Sequence, residues 1–397
     1  MLTPENRKVA RALAEQSFVL LKNDRQILSL RKSGTIALVG PLAEDQQALL
    51  GSWRAAGDWH QAVSVLTGIS NVAGFTVTIL HAKGANLVDD PALRATLKAF
   101  GVEIPVDSRS PEQMLAEAVE MAGHADVVAA VLGESSGMSG EAASRSKIGL
   151  PECQEQLLQA LVKTGKPLVL VLMNGRPLTL AWEAEHCGAI LETWFGGTEA
   201  GNAVADVLFG DYNPSGKLTA TFPRDVGQIP IYYNHKNTGR PYVSDPGYRY
   251  VSRYLDVLND PLYPFGYGLS YTTFSYGDVK LSKTVLAGEE TLLALVSLTN
   301  TGERAGKETV QLYLSQPVAS VTRSVEDLRG FQKVRLQPRE IREVTFRITP
   351  EDLKFYNSKL EYDWEPGEFI IRIGGSSSQL RSASVRWSKQ AVTTKTQ

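Results

Sequence analysis

The sequence predicts a mostly parallel α/β domain followed by an antiparallel β-sandwich. Two periodicities carry this reading. From Thr35 to about Phe222, apolar runs of strand length (TIALVG, FTVTIL, DVVAAVLG, PLVLVLMN and GAILETWF) alternate with helical segments such as PEQMLAEAVEMAG and PECQEQLLQALVKTG. Alternating strands and helices build a parallel sheet covered on its faces. After roughly Gly288 the apolar residues recur at every second position in TLLALVSLTNTG, KETVQLYLSQ, REVTFRITP and GEFIIRIGGSSS, with polar turns and no helical pattern. Short alternating strands at this spacing belong to a two-sheet sandwich of about a hundred residues.

A chain of 397 residues exceeds one ordinary core. The N-terminal MLTPENRKVARALAEQ is charged and helical rather than signal-like, so residues 1–24 are read as a helical lead-in that carries no export signal of its own. The α/β domain is placed at 25–229. Within it, a helix starts with Pro151 at its first position and Glu152 in its first turn, buries Leu157, Leu158 and Leu161 on one face, and stops at Gly165. Residues 230–276, rich in Tyr, Pro, Gly and Asn, form an extended aromatic connector. Its last stretch, Tyr263 to Phe274, is expected to pack the two domains together. The sandwich occupies 277–390 and a tail 391–397.

The charge balance excludes several classes of function. With 41 basic and 43 acidic side chains and a net charge of −2, there is no electrostatic footprint for nucleic acid or an anionic membrane. No run approaches the roughly twenty apolar residues of a membrane span. Cys153 shares a helical face with Leu157 and Leu161, and Cys187 leads into GAIL; both read as buried, unreactive thiols. His60, His81, His124, His186 and His235 show no ligand spacing, so no metal is expected. ALVGPLAED lacks a glycine fingerprint, and Pro41 removes an N–H that a phosphate would need, so no dinucleotide or other cofactor is expected.

The chemistry concentrates in GESSGMSGEAASRSKIGLPE, residues 133–152, directly after the apolar run DVVAAVLG. Gly133 to Gly137 fits G-x-S-x-G, but a nucleophile elbow needs a helix immediately after its serine, and none is predicted before Pro151. The other reading is an acid, Glu134 or Glu141, at the carboxyl end of a strand where open α/β sheets place their chemistry. On these residues alone Glu141 fits a solvated loop glutamate better than an acid. Glu134 suits capping a turn or pairing with Arg145.

Several long strings resemble glycoside hydrolase family 3, in particular its bacterial periplasmic β-glucosidases: SFVLLKN at 17–23, TIALVGPLA at 35–43, LVLVLMNGRPL at 168–178, ETWFGGTEAGNAVADVLFGDYNPSGKL at 192–218, FPRDVGQIPIYYNHKNTGRPY at 222–242 and YPFGYGLSYTTF at 263–274. The resemblance implies a (β/α)8 barrel, an α/β sandwich and a fibronectin type III-like domain in that order. This chain resembles only the last two, and SFVLLKN falls at the junction where the barrel has ended. The family's nucleophile is a barrel aspartate, for which nothing here matches. Its acid/base pattern, G-E-x-x-D-R before Leu-Pro, resembles Gly140 to Arg145 followed by Leu150-Pro151, with Ser144 in place of the usual aspartate.

The resemblance thus implies the C-terminal part of a retaining β-glucosidase hydrolysing terminal β-D-glucosyl residues. Glu141 is the acid/base candidate, Arg145 and Trp53 are candidates for binding substrate, and Trp194 is a second aromatic more in keeping with packing. NGRP at 174–177 is expected to turn tightly, with Arg176 positioning loops. The implied partners are a β-glucoside or oligosaccharide and a barrel in cis or in trans, with self-association as another use of an uncovered docking surface. The implied location of the full-length family is periplasmic or secreted. Two other readings stay open: a non-catalytic carbohydrate- or protein-binding module, and a product inactive by itself. With no barrel over it, the loop at 133–150 is expected to be mobile, weakly anchored and to expose Glu141.

Overall fold

The computed structural model describes residues 2–55, 57–99, 102, 104–241 and 249–390, the side chain of Ala99 excepted. The tail at 391–397 and part of the connector therefore lie outside the described residues. Two compact units emerge: Met1–Lys217 with Phe222–Gly227 and Gly268–Tyr271, and Leu218–Thr221 with Gln228–Tyr267 and Thr272–Gln397.

The first unit runs α1 (Pro4–Ser17), β1 (Val19–Asn23), β2 (Gly34–Val39), α2 (Val65–Ala73), β3 (Val77–Ala82), α3 (Pro91–Ala99), α4 (Pro111–Gly123), β4 (Val127–Gly133), α5 (Glu152–Lys163), β5 (Leu168–Met173), α6 (Ala181–His186), β6 (Ala189–Glu192) and α7 (Ala200–Phe209). Its sheet has the order β1-β6-β5-β4-β2-β3. All neighbours are parallel except β1, which pairs antiparallel with β6. Every strand expected from the apolar runs is present. The segment set apart as a lead-in is built into the unit: Val19–Asn23 supplies the edge strand, while Arg7 and Arg11 on α1 pair with Glu199 at 2.6 Å and Asp206 at 2.5 Å. GAILETWF is a strand only as far as Glu192, because Trp194 turns into the left-handed region at φ 53°.

Helix packing around this sheet follows from small residues and caps. Thr3, Ser64 and Ser110 accept the N–H groups of Asn6, Thr67 and Gln113 in the first turns of α1, α2 and α4, satisfying donors a helix cannot pair internally. Helices α2 and α7 approach so closely that a Cβ on Gly68 would lie 2.0 Å from the Gly201 carbonyl oxygen. On α5, Leu157, Leu158 and Leu161 are fully buried as expected. Gln154, also buried, does more than pack. Its side chain accepts from Gly133 N–H at 2.8 Å and donates to Gly133 O at 3.0 Å and Leu87 O at 2.9 Å, closing the end of β4 where the strand ladder stops.

The second unit is the expected sandwich. One sheet has the order β12-β11-β16-β17-β9, and the other β13-β10-β7, with β8 also on β10. Here β7 is Phe274–Tyr276, β8 Lys280–Leu281, β9 Val285–Ala287, β10 Leu292–Asn300, β11 Gly306–Ser315, β12 Asp327–Leu336, β13 Ile341–Ile348, β16 Gly367–Ser376 and β17 Gln379–Ser388; β14 (Phe355–Tyr356) and β15 (Tyr362–Asp363) form a separate ribbon. Strict alternation along β10 puts Leu292, Ala294, Val296 and Leu298 inside, where Trp364 and Trp387 meet edge to face at 6.2 Å. Part of the connector joins this unit: Tyr233 stacks on Phe265 at 4.3 Å and meets Tyr313 edge-on.

Removing the Gln154 amide strands three backbone groups without water. Gln154→Ala is expected to lower the unfolding free energy by about 2–4 kcal/mol, whereas Gln159→Ala, on the exposed side of the same helix, should change it by less than about 0.5 kcal/mol. Urea unfolding of the two variants checks this.

Candidate active site

The sheet order fixes where chemistry is to be sought. From β2 the chain builds outward to β3 on one side and through β4, β5 and β6 on the other, so the switch point of the topology lies between β2 and β4. Ligands of open α/β sheets sit beyond the carboxyl ends of the strands at such a point. The loops leaving β2 and β4 carry Trp53 and Glu141. A cavity of about 40 Å³ lies at this point between Pro41, Asp45, Ser135 and Ser136, beside an open groove of about 760 Å³ along Trp59, Arg94 and Lys98. Neither includes Glu141.

The chain leaves β4 through Gly133, whose φ of 147° and 1.9 Å Cβ approach to Met173 O admit no side chain. Glu134 follows and is fully buried. Its Oε1 lies 2.7 Å from Arg145 Nη1 and 3.0 Å from Arg176 Nε, the latter an ion pair whose N–H is not aimed at the oxygen. Its Oε2 accepts from Gly175 N–H at 3.3 Å. A carboxylate without solvent must be paired, and Glu134 has two guanidinium partners. The expected pairing with Arg145 is present, and Arg176 joins it.

Ser135, Ser136, Met138 and Ser139 are buried as well, and so are Ile148 and Leu150 on the returning limb. This corrects the expectation of a weakly anchored loop. Ser52 Oγ lies 2.6 Å from both Ser136 O and Ser139 O, one hydroxyl proton shared between two carbonyls. Ile148 O accepts from Thr179 N–H at 3.0 Å. The exposed part is a short tip, Gly140 to Lys147. Gly140 at φ 101° and Ala142 at φ 57° turn it, and Glu141 stands exposed between them. No elbow forms at Ser135, since the next helix begins only at Glu152.

The substrate-binding candidates divide. Trp53 is 74% exposed and follows the Ser52 that stitches the two loops together; its indole nitrogen comes within 3.7 Å of where a Cβ on Gly140 would stand. It is an aromatic face beside the Glu141 tip. Arg145 spends Nη1 on Glu134 and places Nη2 3.3 Å from Gly149 O, contacts that hold the arm rather than reach out of it. Trp194 is tilted against the buried Phe222 at 6.0 Å, the packing role anticipated for it.

Beneath this layer lies a carboxyl that sequence reasoning missed. Glu192, at the end of β6, is completely buried; it accepts from Trp194 N–H at 2.9 Å and from Asn174 Nδ2 at 3.0 Å, and the same Nδ2 donates to Arg176 O at 2.8 Å. Burial pushes Glu192 up to about 8, with the Glu134 charge adding to the rise. The only sequence signal was a glutamate breaking the apolar run GAILETWF. The thiols behave as expected in chemistry: burial raises Cys187 to about 12 and Cys153 to about 11, although Cys153 is only half-buried. Among the described residues no cluster of His, Cys, Asp and Glu could hold a metal, and no helix is long and apolar enough to cross a membrane.

Residues 18–271 match the glycosyl hydrolase family 3 C-terminal domain, and residues 308–377 a fibronectin type III-like domain. The chain is 54% identical over 379 residues to the periplasmic β-glucosidase of Salmonella typhimurium, covering 96% of this chain and 50% of that protein. It is 40% identical to a β-xylosidase of Formosa agariphila, covering 94% and 49%. The β-glucosidase of Listeria innocua, crystallised with glucose, superposes with a TM-score of 0.88 at 39% identity, covering 99% of this chain and 51% of that one. The chain spans about half the length of the relatives it matches.

Glu192 gives a pH test. It titrates near 4.5 when unfolded and near 8 when folded, so between these values the native state holds a proton that the unfolded state has lost. Its stabilising contribution is complete below about 4.5 and is lost as pH rises through about 8. The wild-type melting midpoint is expected to fall between pH 5 and pH 8.5 by several degrees more than that of Glu192→Gln. Glu183 and Glu326, each raised to about 7 by burial, titrate in the same direction but remain in both proteins, so the difference isolates Glu192.

Proposed function

This chain belongs to glycoside hydrolase family 3, and from that membership we propose that it is the C-terminal part of a retaining β-glucosidase acting on terminal β-D-glucosyl residues, with Glu141 as its acid/base. The observation that carries this reading is an exposed carboxylate at the crest of an arm whose base is buried and ion-paired. Retention needs two carboxyl groups roughly 5 Å apart. In the first step one attacks the anomeric carbon while the other protonates the departing oxygen; in the second, that same group takes a proton from water, which then displaces the enzyme's carboxylate. Glu141 fits the second group, and the nucleophile belongs to a barrel domain contributed in cis or in trans. Trp53 offers an indole face beside Glu141 for a sugar ring, and Arg145 holds the arm. The proposed location is that of the Salmonella relative, the periplasm.

The Formosa relative supports a second specificity, β-xylosides, since the same domain pair serves a β-xylosidase there. Comparing glucoside with xyloside hydrolysis decides between them.

Alone, the chain is expected to fold cooperatively yet leave aryl β-glucosides intact, because it supplies one carboxylate of the pair; turnover above a mock purification would refute this. Joined to the remaining half of the Salmonella enzyme, it is expected to hydrolyse β-glucosides. In that protein Glu141→Gln should lower kcat/KM on alkyl glucosides by about 100-fold or more. Aryl glucosides with activated leaving groups, which need little protonation, should still form the glycosyl-enzyme, and added azide should speed its breakdown. Equal loss on both substrate types would assign Glu141 a structural role.

A further inference from the structure

One nitrogen closes the neck of the arm. Arg176 Nη2 donates to Met138 O on the outgoing limb and, at 2.7 Å, to Ala143 O on the returning limb. The residues between those two carbonyls are Ser139 to Ala142, and Glu141 is among them. Where the neck is held, the crest can pivot only through the few dihedrals between Met138 and Ala143.

We propose that Arg176 is a positioning residue for Glu141, and that Glu134 is the buried anion that locks the Arg176 fork in place. The geometry of the fork supports this. Nε lies 3.0 Å from Glu134 in an ion pair without a hydrogen bond, while Nη2 donates to the two loop carbonyls. The arginine's own backbone is fixed from the other side, its carbonyl accepting from Asn174 Nδ2. A planar guanidinium meets a carboxylate and two carbonyls at once, whereas a lysine offers a single ammonium point. Arg145, sharing Glu134, reaches only Gly149 O, beyond the exposed tip, so its effect on the crest should be weaker.

The inference rests on the acid/base reading of Glu141, and the test separates the two. Arg176→Lys keeps the charge facing Glu134 and loses the fork. In the chain itself, trypsin should cleave after the exposed Lys147 on the order of 10-fold faster in this variant, with an unchanged melting midpoint and unchanged cleavage elsewhere. In the protein completed with the Salmonella half, Arg176→Lys should lower kcat/KM on alkyl glucosides on the order of 10- to 100-fold, and on activated aryl glucosides less than about threefold, with KM unaltered. Added to Glu141→Gln it should cost nothing further on alkyl glucosides, because a residue acting through Glu141 has nothing left to position. Arg145→Lys should fall between Arg176→Lys and wild type. Equal loss on both substrate types, or losses that multiply in the double variant, would overturn the proposal. If Glu141→Gln proves harmless, the acid/base assignment fails by itself. The trypsin rate then decides the clamp: a rise supports it and an unchanged rate overturns it.

Discussion

The site depends on a carboxylate that water cannot reach. Glu134, the first residue after β4, sits between two guanidinium groups and one backbone N–H. An isolated charge there would be prohibitive, and the cost is offset only while two positive charges stay beside it. That requirement works outward. Holding Arg145 and Arg176 still fixes the carbonyls they bond, so burial under the sheet's carboxyl edge becomes order in a polar surface loop. A segment of glycines and serines has little apolar content with which to order itself.

The same edge is built in two tiers. Strands β4, β5 and β6 are adjacent and parallel, and the residues just past or at their ends, Glu134, Asn174 and Glu192, are all fully buried. The lower tier, Glu192 with Asn174, secures the backbone of Arg176; the upper tier, Glu134 with Arg176, secures the loop above. Backbone groups at strand ends lose their ladder partners and need side chains to replace them. Here those replacements join into one chain of contacts leading to the neck of the arm. Gln154 serves the same need for Gly133 from the helix side.

On the proposed reading of Glu141, a half-site of this kind makes sense of a division between domains. A retaining glycosidase must bring two carboxyl groups to fixed separation, and when they come from different domains each must be rigid within its own. The α/β unit achieves this by anchoring both limbs and exposing only the tip. Trp53 reaches the same place from the β2 loop because Ser52 ties the two loops together. The sandwich, with its separate core of alternating residues, contributes none of the side chains discussed for the site.

The sequence by itself determined the architecture, because periodicity is a local property: a stretch such as PLVLVLMN can be satisfied only as a buried strand, and TLLALVSLTN only with one face inward. It also marked the arm and Glu141, through composition and through a resemblance borne by long strings, but not which part of the arm would be exposed. Of what holds the arm it offered only a Glu134–Arg145 pairing and a loop-positioning role for Arg176. Loops have no period, so nothing in the spacing of Met138, Ile148 and Leu150 announced that all three would be buried. Glu134 and Arg145 lie 11 residues apart on one loop, but Arg176, Asn174 and Glu192 join them only because parallel strands bring distant segments into register. A buried charge is stabilised by whatever the fold places beside it, and that choice belongs to tertiary structure.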